Sequence, residues 1–254
     1  MADILITGAN QGIGYYMVRQ FLLSGHRVAV LDIHTDQIST LKNQYPEELL
    51  VFKADVREES SINSAVMKVY GNFGNIDCAI HNACICTFSS EPETDVPLYQ
   101  DVFDVNYFGA LRLCKAVLPH MRKAKKERII FTSSGVGITG FGNISPYASS
   151  KGALEALAKC LQIENEEYSI TFHILHSPLT DTSSAAGIAI PKEFKADPEA
   201  VGRGLGKKAF SKKFMICHSF SQQLQMRLCY RHPLEVGRKM WIMTKRAESI
   251  QSQQ

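Results

Sequence analysis

No apolar run in the 254-residue chain approaches the roughly 18 residues a membrane-spanning helix needs. The first strand-like run, residues 4–7, begins almost at the initiator Met. That leaves no room for a signal or transit segment, and the expected location is cytoplasmic. No repeat with a period of about 20 to 50 residues, low-complexity tract or Pro/Ser-rich linker is present, which excludes solenoids and multi-domain arrays. C-x-x-C pairs are also missing. The seven cysteines (Cys78, Cys84, Cys86, Cys114, Cys160, Cys217 and Cys229) are odd in number, and the close pair Cys84 and Cys86 matches neither a zinc knuckle nor a redox motif. Packing is the ordinary reading for these thiols, and no metal is expected.

What is present describes a folded domain. Apolar residues make up 45% and charged residues 21%, and the length suits one domain. Net charge is only +3, but residues 203–254 hold 11 Lys/Arg against 2 Asp/Glu (+9), while the first 202 hold 17 against 23 (−6). Such asymmetry fits an anionic substrate, an acidic carrier protein, an anionic membrane surface or a solvated helical face. Peripheral membrane contact would use Trp241, Met240 and Ile242 beside Lys239, Lys245 and Arg246. No nucleic-acid module accompanies the basic residues, so nucleic acid is not an expected partner.

The first half alternates strands and helices at the pace of βαβ units. Strands are predicted over 3–7, 27–32, 49–53, 77–81, 128–133 and 169–176, and helices over 12–24, 36–44, 60–73, 99–123 and 147–167. Most strands are apolar throughout, as in a parallel sheet covered on both faces. The expected fold is α/β, a Rossmann-type doubly wound parallel sheet with helices on both faces, in a single domain over 1–254. Its parts are a cofactor-binding and catalytic core (1–182), a Ser-, Thr-, Ala- and Gly-rich substrate loop (183–201) that reads as mobile, and a basic helical extension (202–254). In that extension a strand-like piece over 213–217 precedes two helices with apolar faces suited to core or subunit contact.

The first strand ends in Thr7-Gly8-Ala9-Asn10-Gln11-Gly12-Ile13-Gly14 and runs into a helix. Gly8 permits a tight turn, and Gly12 and Gly14 let backbone approach a pyrophosphate that faces the helix-start amides of Gln11 to Gly14. Asp32 follows Gly14 by 18 residues at the end of the second strand. Its carboxylate can accept from adenosine ribose hydroxyls and would repel a 2′-phosphate, so NAD is favoured over NADP. A turn or helix-capping aspartate is the alternative. Neither Gln11 nor Ile33 supplies a cation for a 2′-phosphate.

Tyr147-Ala148-Ser149-Ser150-Lys151 sets a phenol and an ammonium one helical turn apart. A phenol titrates near pH 10, and a neighbouring cation is expected to lower that value so that Tyr147 exchanges a proton with the substrate oxygen. Ser134, at a strand end 13 positions before Tyr147, can hold that oxygen.

With these residues the chain resembles the classical short-chain dehydrogenase/reductase family, from the glycine turn to about Thr182. The resemblance implies a catalytic set of Asn106, Ser134, Tyr147 and Lys151, with Asn106 kinking its helix and holding a relay water and Lys151 binding the nicotinamide ribose. It implies cofactor contacts at Asp55 and Val56 (adenine), Asn82, Tyr147, Lys151 and Thr182 (carboxamide). It also implies a homodimer or homotetramer through the helices holding Asn106 and Tyr147. Two departures stand out: the family's Asn-Asn-Ala-Gly is His81-Asn82-Ala83-Cys84 here, and its Pro-Gly is replaced within Ser177-Pro178-Leu179-Thr180-Asp181-Thr182, which leaves the register of Thr182 ambiguous by one.

The leading expectation is an oxidoreductase moving a hydride between NAD(H) and a small secondary alcohol or ketone. Ile188, Ile190 and Phe194 suit an apolar substrate. The alternative is a nucleotide-binding, redox-sensing module with little turnover, which need not keep all four catalytic residue types.

Overall fold

Seven short apolar runs, all hydrogen-bonded in parallel, make the sheet on which the computed structural model is built; it describes residues 1–188 and 190–251, the side chains of 250 and 251 excepted. The strands are β1 (Asp3–Thr7), β2 (Arg27–Asp32), β3 (Leu49–Lys53), β4 (Cys78–His81), β5 (Arg128–Ser134), β6 (Thr171–Ser177) and β7 (Met215–Cys217), in the spatial order β3-β2-β1-β4-β5-β6-β7. Parallel strands demand crossovers, and the helices that supply them cover both faces. α1 (Gly12–Leu23), the short α2 (Asp36–Ser39) and α8 (Pro198–Lys208) lie on one side, where Ile4, Ile6, Val28 and Val30 pack with Met17, Phe21, Ile38 and Leu205. α3 (Glu59–Phe73), α5 (Gly109–Ala124) and α7 (Ser145–Glu164) lie on the other, where Leu5, Ala29 and Leu31 pack with Val66, Leu113 and Leu154. Successive β1 residues thus serve opposite cores. This is the expected doubly wound sheet.

The remaining helices are α4 (Val96–Phe103), α6 (Val136–Thr139), α9 (Phe220–Arg231) and α10 (Pro233–Gln251). Several predicted boundaries shift by one to three residues, and three predicted segments change in character. The helix expected over 99–123 is α4 and α5 joined through a π turn at Asp104–Phe108, and it begins earlier because the Asp95 carboxylate caps the Leu98 amide. The helix expected over 36–44 is α2 followed by a 3-10 turn, Thr40–Asn43. The loop expected over 183–201 contains 3-10 turns at Ser183–Ala185 and Lys192–Phe194 and a bridge between Thr180 and Ala196, and its end is already α8. There Asp197 accepts from Ala200 N at 2.7 Å, and Pro198 takes the first helical position, where a missing N–H costs nothing. Among the described residues no helix is long and apolar enough to cross a membrane.

α8 lies against α1 because Gly202 has no side chain. A Cβ there would stand 2.5 Å from Tyr16 Cβ and 2.7 Å from Ile13 O, whereas one at Gly71 of α3 would meet nothing within 4 Å. Helix propensity favours alanine over glycine by about 1 kcal/mol at either position. Gly71→Ala is therefore expected to raise the urea midpoint. Gly202→Ala should lower it, with overpacking costing about 1–3 kcal/mol, and a raised midpoint for both variants would contradict the close packing of α1 on α8.

Candidate active site

Strand order reverses beside β1: β2 and β3 extend the sheet to one side and β4 to β7 to the other. In such sheets the crevice beyond the carboxyl ends of the strands is where a ligand fits. A cavity of about 780 Å³ opens there, lined by residues following β1, β2, β3, β4, β5 and β6 and by parts of α9 and α10.

The glycine turn forms one wall. Gly8 has φ of 66°, in the left-handed region, and a Cβ on it would lie 2.4 Å from Ala83 Cα. Backbone of the β1 and β4 loops can touch only with glycine at that position. Thr7 Oγ1 accepts from the amides of Asn82 and Ala83, both at 3.2 Å, and Asn82 Nδ2 donates to Gly8 O at 2.6 Å. Gln11 precedes α1 without capping it by its side chain, so amides at the helix start face the cavity uncapped. Gly12, Ile13 and Gly14 line the cavity. Thr182 lines it too, with Thr180 and Ser183, and its Cγ2 would lie 3.3 Å from a Cβ at Gly12.

At the far end of this wall Asp32 accepts from Asn10 N at 2.8 Å and His34 N at 3.1 Å. It caps no helix; it ties the end of β2 to the glycine turn. Asp55 and Val56 line the same region, and the Arg57 guanidinium, 2.6 Å away, holds the Asp55 carboxyl below its ordinary value.

The opposite wall carries the polar groups. Lys151 on α7 is buried, and its Nζ donates to Thr132 O at 2.7 Å; Tyr147, one turn earlier, lies with its ring centroid 5.5 Å from that Nζ. Tyr147 and Ser134 are hydrogen-bonded. The expectation that Lys151 lowers the phenol needs correcting. Burial raises Tyr147 well above its ordinary value, with the Ser134 hydrogen bond acting in the other direction, and burial lowers Lys151. The protonated phenol is therefore favoured, and Tyr147 stands ready as a donor.

Asn106 sits in the π turn. Its Oδ1 accepts from Ile85 N at 2.8 Å, and its Nδ2 donates to Ile85 O and to Ser150 Oγ, both at 2.9 Å. Both amide protons are used in fastening the 84–86 segment to α7. Cys84, at the family's glycine position, is not among the described residues with positive φ, so its side chain costs no backbone strain. Burial pushes the nearby Cys86 thiol up to about 12.

Several cavity residues escaped the sequence reading. Ile188 and Ile190 line the cavity as expected, but Phe194 faces solvent. Gln222, Gln225, Met226 and Cys229 of α9 and Met240 of α10 line it as well. An amphipathic pattern marks a buried stripe without saying that a cavity lies beneath it.

The sequence profile described as short chain dehydrogenase matches residues 2–192. The chain belongs to the short-chain dehydrogenase family. Its relatives include the oxidoreductase UcpA of Salmonella typhimurium, 34% identical over 206 residues (78% of this chain, 76% of UcpA). They also include 2-(R)-hydroxypropyl-CoM dehydrogenase of Xanthobacter autotrophicus, 33% identical over 168 residues (63% of this chain, 67% of that protein). The L-fucose dehydrogenase of Bos taurus is 30% identical over 168 residues, 66% of this chain and 62% of that protein, so the match spans less than two thirds of it. Among solved structures, 3-ketoacyl-(acyl-carrier-protein) reductase from Brucella melitensis complexed with NADH superposes with a TM-score of 0.76 at 21% identity, covering 85% of this chain and 94% of that one. ElxO with NADP bound gives 0.75 at 22%, covering 86% and 95%. These likenesses carry the fold. Members of the family bind nicotinamide cofactors.

His81 stands where the family usually has asparagine, and its tautomer can be read from its neighbour. Thr7 Oγ1 already accepts two amide protons, so it donates its own to His81 Nδ1 at 3.1 Å. The ring proton is then on Nε2, which approaches the carbonyls of Val105 and Asn106 without a well-formed bond. Burial lowers His81 to about 3. A depressed histidine contributes stability that is complete above the unfolded value and is lost as pH falls towards the folded one. The urea midpoint is therefore expected to drop between about pH 7 and about pH 5, with His81 contributing about 2 kcal/mol over that window. His81→Asn should remove that share of the slope; an unchanged slope would contradict a neutral, buried His81.

Proposed function

We propose that this protein transfers a hydride between NAD(H) and a secondary alcohol or ketone, with Tyr147 exchanging the proton at the substrate oxygen. The observation that carries the reading is the convergence of Ser134, Tyr147 and Lys151 in one cavity whose other wall is the Gly8–Gly14 turn. That cavity fits a dinucleotide: a turn that a Cβ would fill, uncapped amides at the start of α1, a carboxylate at Asp32, and a buried ammonium that donates to Thr132 O. Bound NAD(H) supplies the hydride chemistry. Gln11, Gly12, Ile13 and Gly14 would cradle its pyrophosphate, Asp32 its adenosine ribose, Asp55, Val56 and Asn82 its adenine side, Lys151 its nicotinamide ribose and Thr182 its carboxamide.

The chain's own residues handle the oxygen and the proton. Ser134 holds the substrate oxygen and Tyr147 donates to it during reduction, a role favoured by a phenol whose burial keeps it protonated. For oxidation the same phenol must first lose its proton, a step that its burial opposes and its hydrogen bond to Ser134 eases. Asn106 keeps the 84–86 segment against α7, so the cavity floor stays in place. Asp32 favours NAD over NADP because a carboxylate repels a 2′-phosphate. Val136, Phe141, Ile144, Ile188, Met226 and Met240 make the substrate end apolar, and an apolar alcohol or ketone suits it. A homodimer or homotetramer through the helices holding Asn106 and Tyr147 belongs to the same proposal.

Tyr147→Phe is expected to lower kcat by about 10²–10⁴, the usual worth of a general acid, while NADH still stabilises the variant against heat. Screening a panel of secondary alcohols and ketones with NAD(H) and NADP(H) provides the measurement. Undiminished turnover in Tyr147→Phe would overturn the assignment of the proton donor. Tight NAD binding without turnover on any substrate in the wild-type protein would favour the redox-sensing alternative.

A further inference from the structure

α9 and α10 each have two faces of opposite character. On α9, Gln222, Met226 and Cys229 are buried and line the cavity, whereas Phe220, Leu224 and Leu228, spaced four apart, leave half or more of their surface in solvent. Phe220 is 78% exposed. Arg227 and Arg231, seven and eleven positions after Phe220, fall on the same outer stripe. α10 repeats the arrangement: Met240 lines the cavity and Thr244 is buried, while Leu234, Ile242 and Met243 are exposed among Arg238, Lys239, Lys245 and Arg246. Six exposed large apolar residues on two consecutive helices form an outer surface that the core does not use.

Charge identifies what covers it. Among the described residues, Arg227, Arg231, Arg238, Lys239 and Arg246 have no ion-pair carboxylate, and Lys245 lies over the Trp241 ring at 4.9 Å. α9 and α10 together hold six Lys/Arg (Arg227, Arg231, Arg238, Lys239, Lys245 and Arg246) against Glu235 and Glu248, whereas residues 1–202 sum to −6. A second copy of the same face would bring cations against cations across a two-fold contact. Large apolar side chains flanked by cations fit an anionic bilayer, where the former enter the acyl boundary and the latter meet headgroups.

We propose that the outer faces of α9 and α10 dock the enzyme on an anionic lipid surface. Tyr147 and the cofactor cradle play no part in this attachment, so it stands or falls separately from the catalytic reading. Docking places the helices that wall the apolar end of the cavity against the bilayer.

The test is co-sedimentation of the full chain with phosphatidylcholine vesicles and with vesicles containing about 30% phosphatidylserine, at low and high salt. Binding is expected on the anionic vesicles, at least about tenfold weaker on neutral ones, and weakened by salt. The exposed pair change Leu224→Glu with Leu228→Glu should reduce binding about tenfold at an unchanged melting temperature. The charge reversal Arg238→Glu with Lys239→Glu provides a second variant should the first fail to fold, and should weaken binding similarly. No binding to anionic vesicles, or equal binding to neutral ones, would overturn the proposal. So would a dimer that the Leu224/Leu228 changes dissociate while vesicle binding persists, because a second copy would then be the occupant.

Discussion

Lys151 is the constraint around which the active-site half of the molecule is arranged. A buried ammonium is costly unless it is well partnered, and here it donates to Thr132 O at 2.7 Å. Such a group persists only where surrounding structure leaves it no other place. α6, which follows β5, is pressed on α7 tightly enough that a Cβ on Gly137 would meet Lys151 Cβ at 3.0 Å and Gly152 N at 2.9 Å. Ser133 Oγ reaches Lys151 O at 3.4 Å and Glu155 Oε1 at 3.2 Å. With the helix fixed, Tyr147 and Ser134 have little freedom in where they place their oxygens.

The same region is braced from behind by the C-terminal helices. Tyr230 of α9 donates to Glu155 Oε2 at 2.7 Å, and Gln222 Nε2 donates to His176 O at 2.7 Å. Glu155 and His176 approach to 3.5 Å in a site where burial raises the acid and lowers the histidine. α10 sits on the segment after Ser134, where a Cβ on Gly142 would run into the Trp241 ring at 2.7 Å. Residues beyond the stretch matched by the family therefore shape the cavity that the family's own residues line.

How much could be read in advance follows from local physics. β1, β2 and β3 were legible to the residue because strands covered on both faces run apolar and end at polar or glycine-rich turns. The Gly8–Gly14 turn, Ser134, Tyr147 and Lys151 were legible as a pattern because their chemistry fixes residue type and spacing. The π turn was not, since Asp104 to Phe108 looks like ordinary helix in composition. α8 was hidden by Pro198, which reads as a loop signal until Asp197 is seen capping the helix it opens. Phe194 was assigned to the cavity on apolarity alone, and apolarity does not tell inward from outward in an irregular segment. The sign of the Tyr147 shift was missed for a similar reason: spacing reveals a neighbouring cation, whereas burial, which dominates, appears only in three dimensions.

Lys151→Met tests whether the ammonium is held in its costly position for the sake of the dinucleotide. Replacing a buried cation by an apolar side chain of similar length removes the desolvation cost. The variant is expected to melt no lower than the parent in the absence of cofactor, and yet to gain markedly less stability from saturating NADH, measured by calorimetry on both proteins. Equal stabilisation by NADH in parent and variant would contradict it, because the ammonium would then have no role in holding the cofactor.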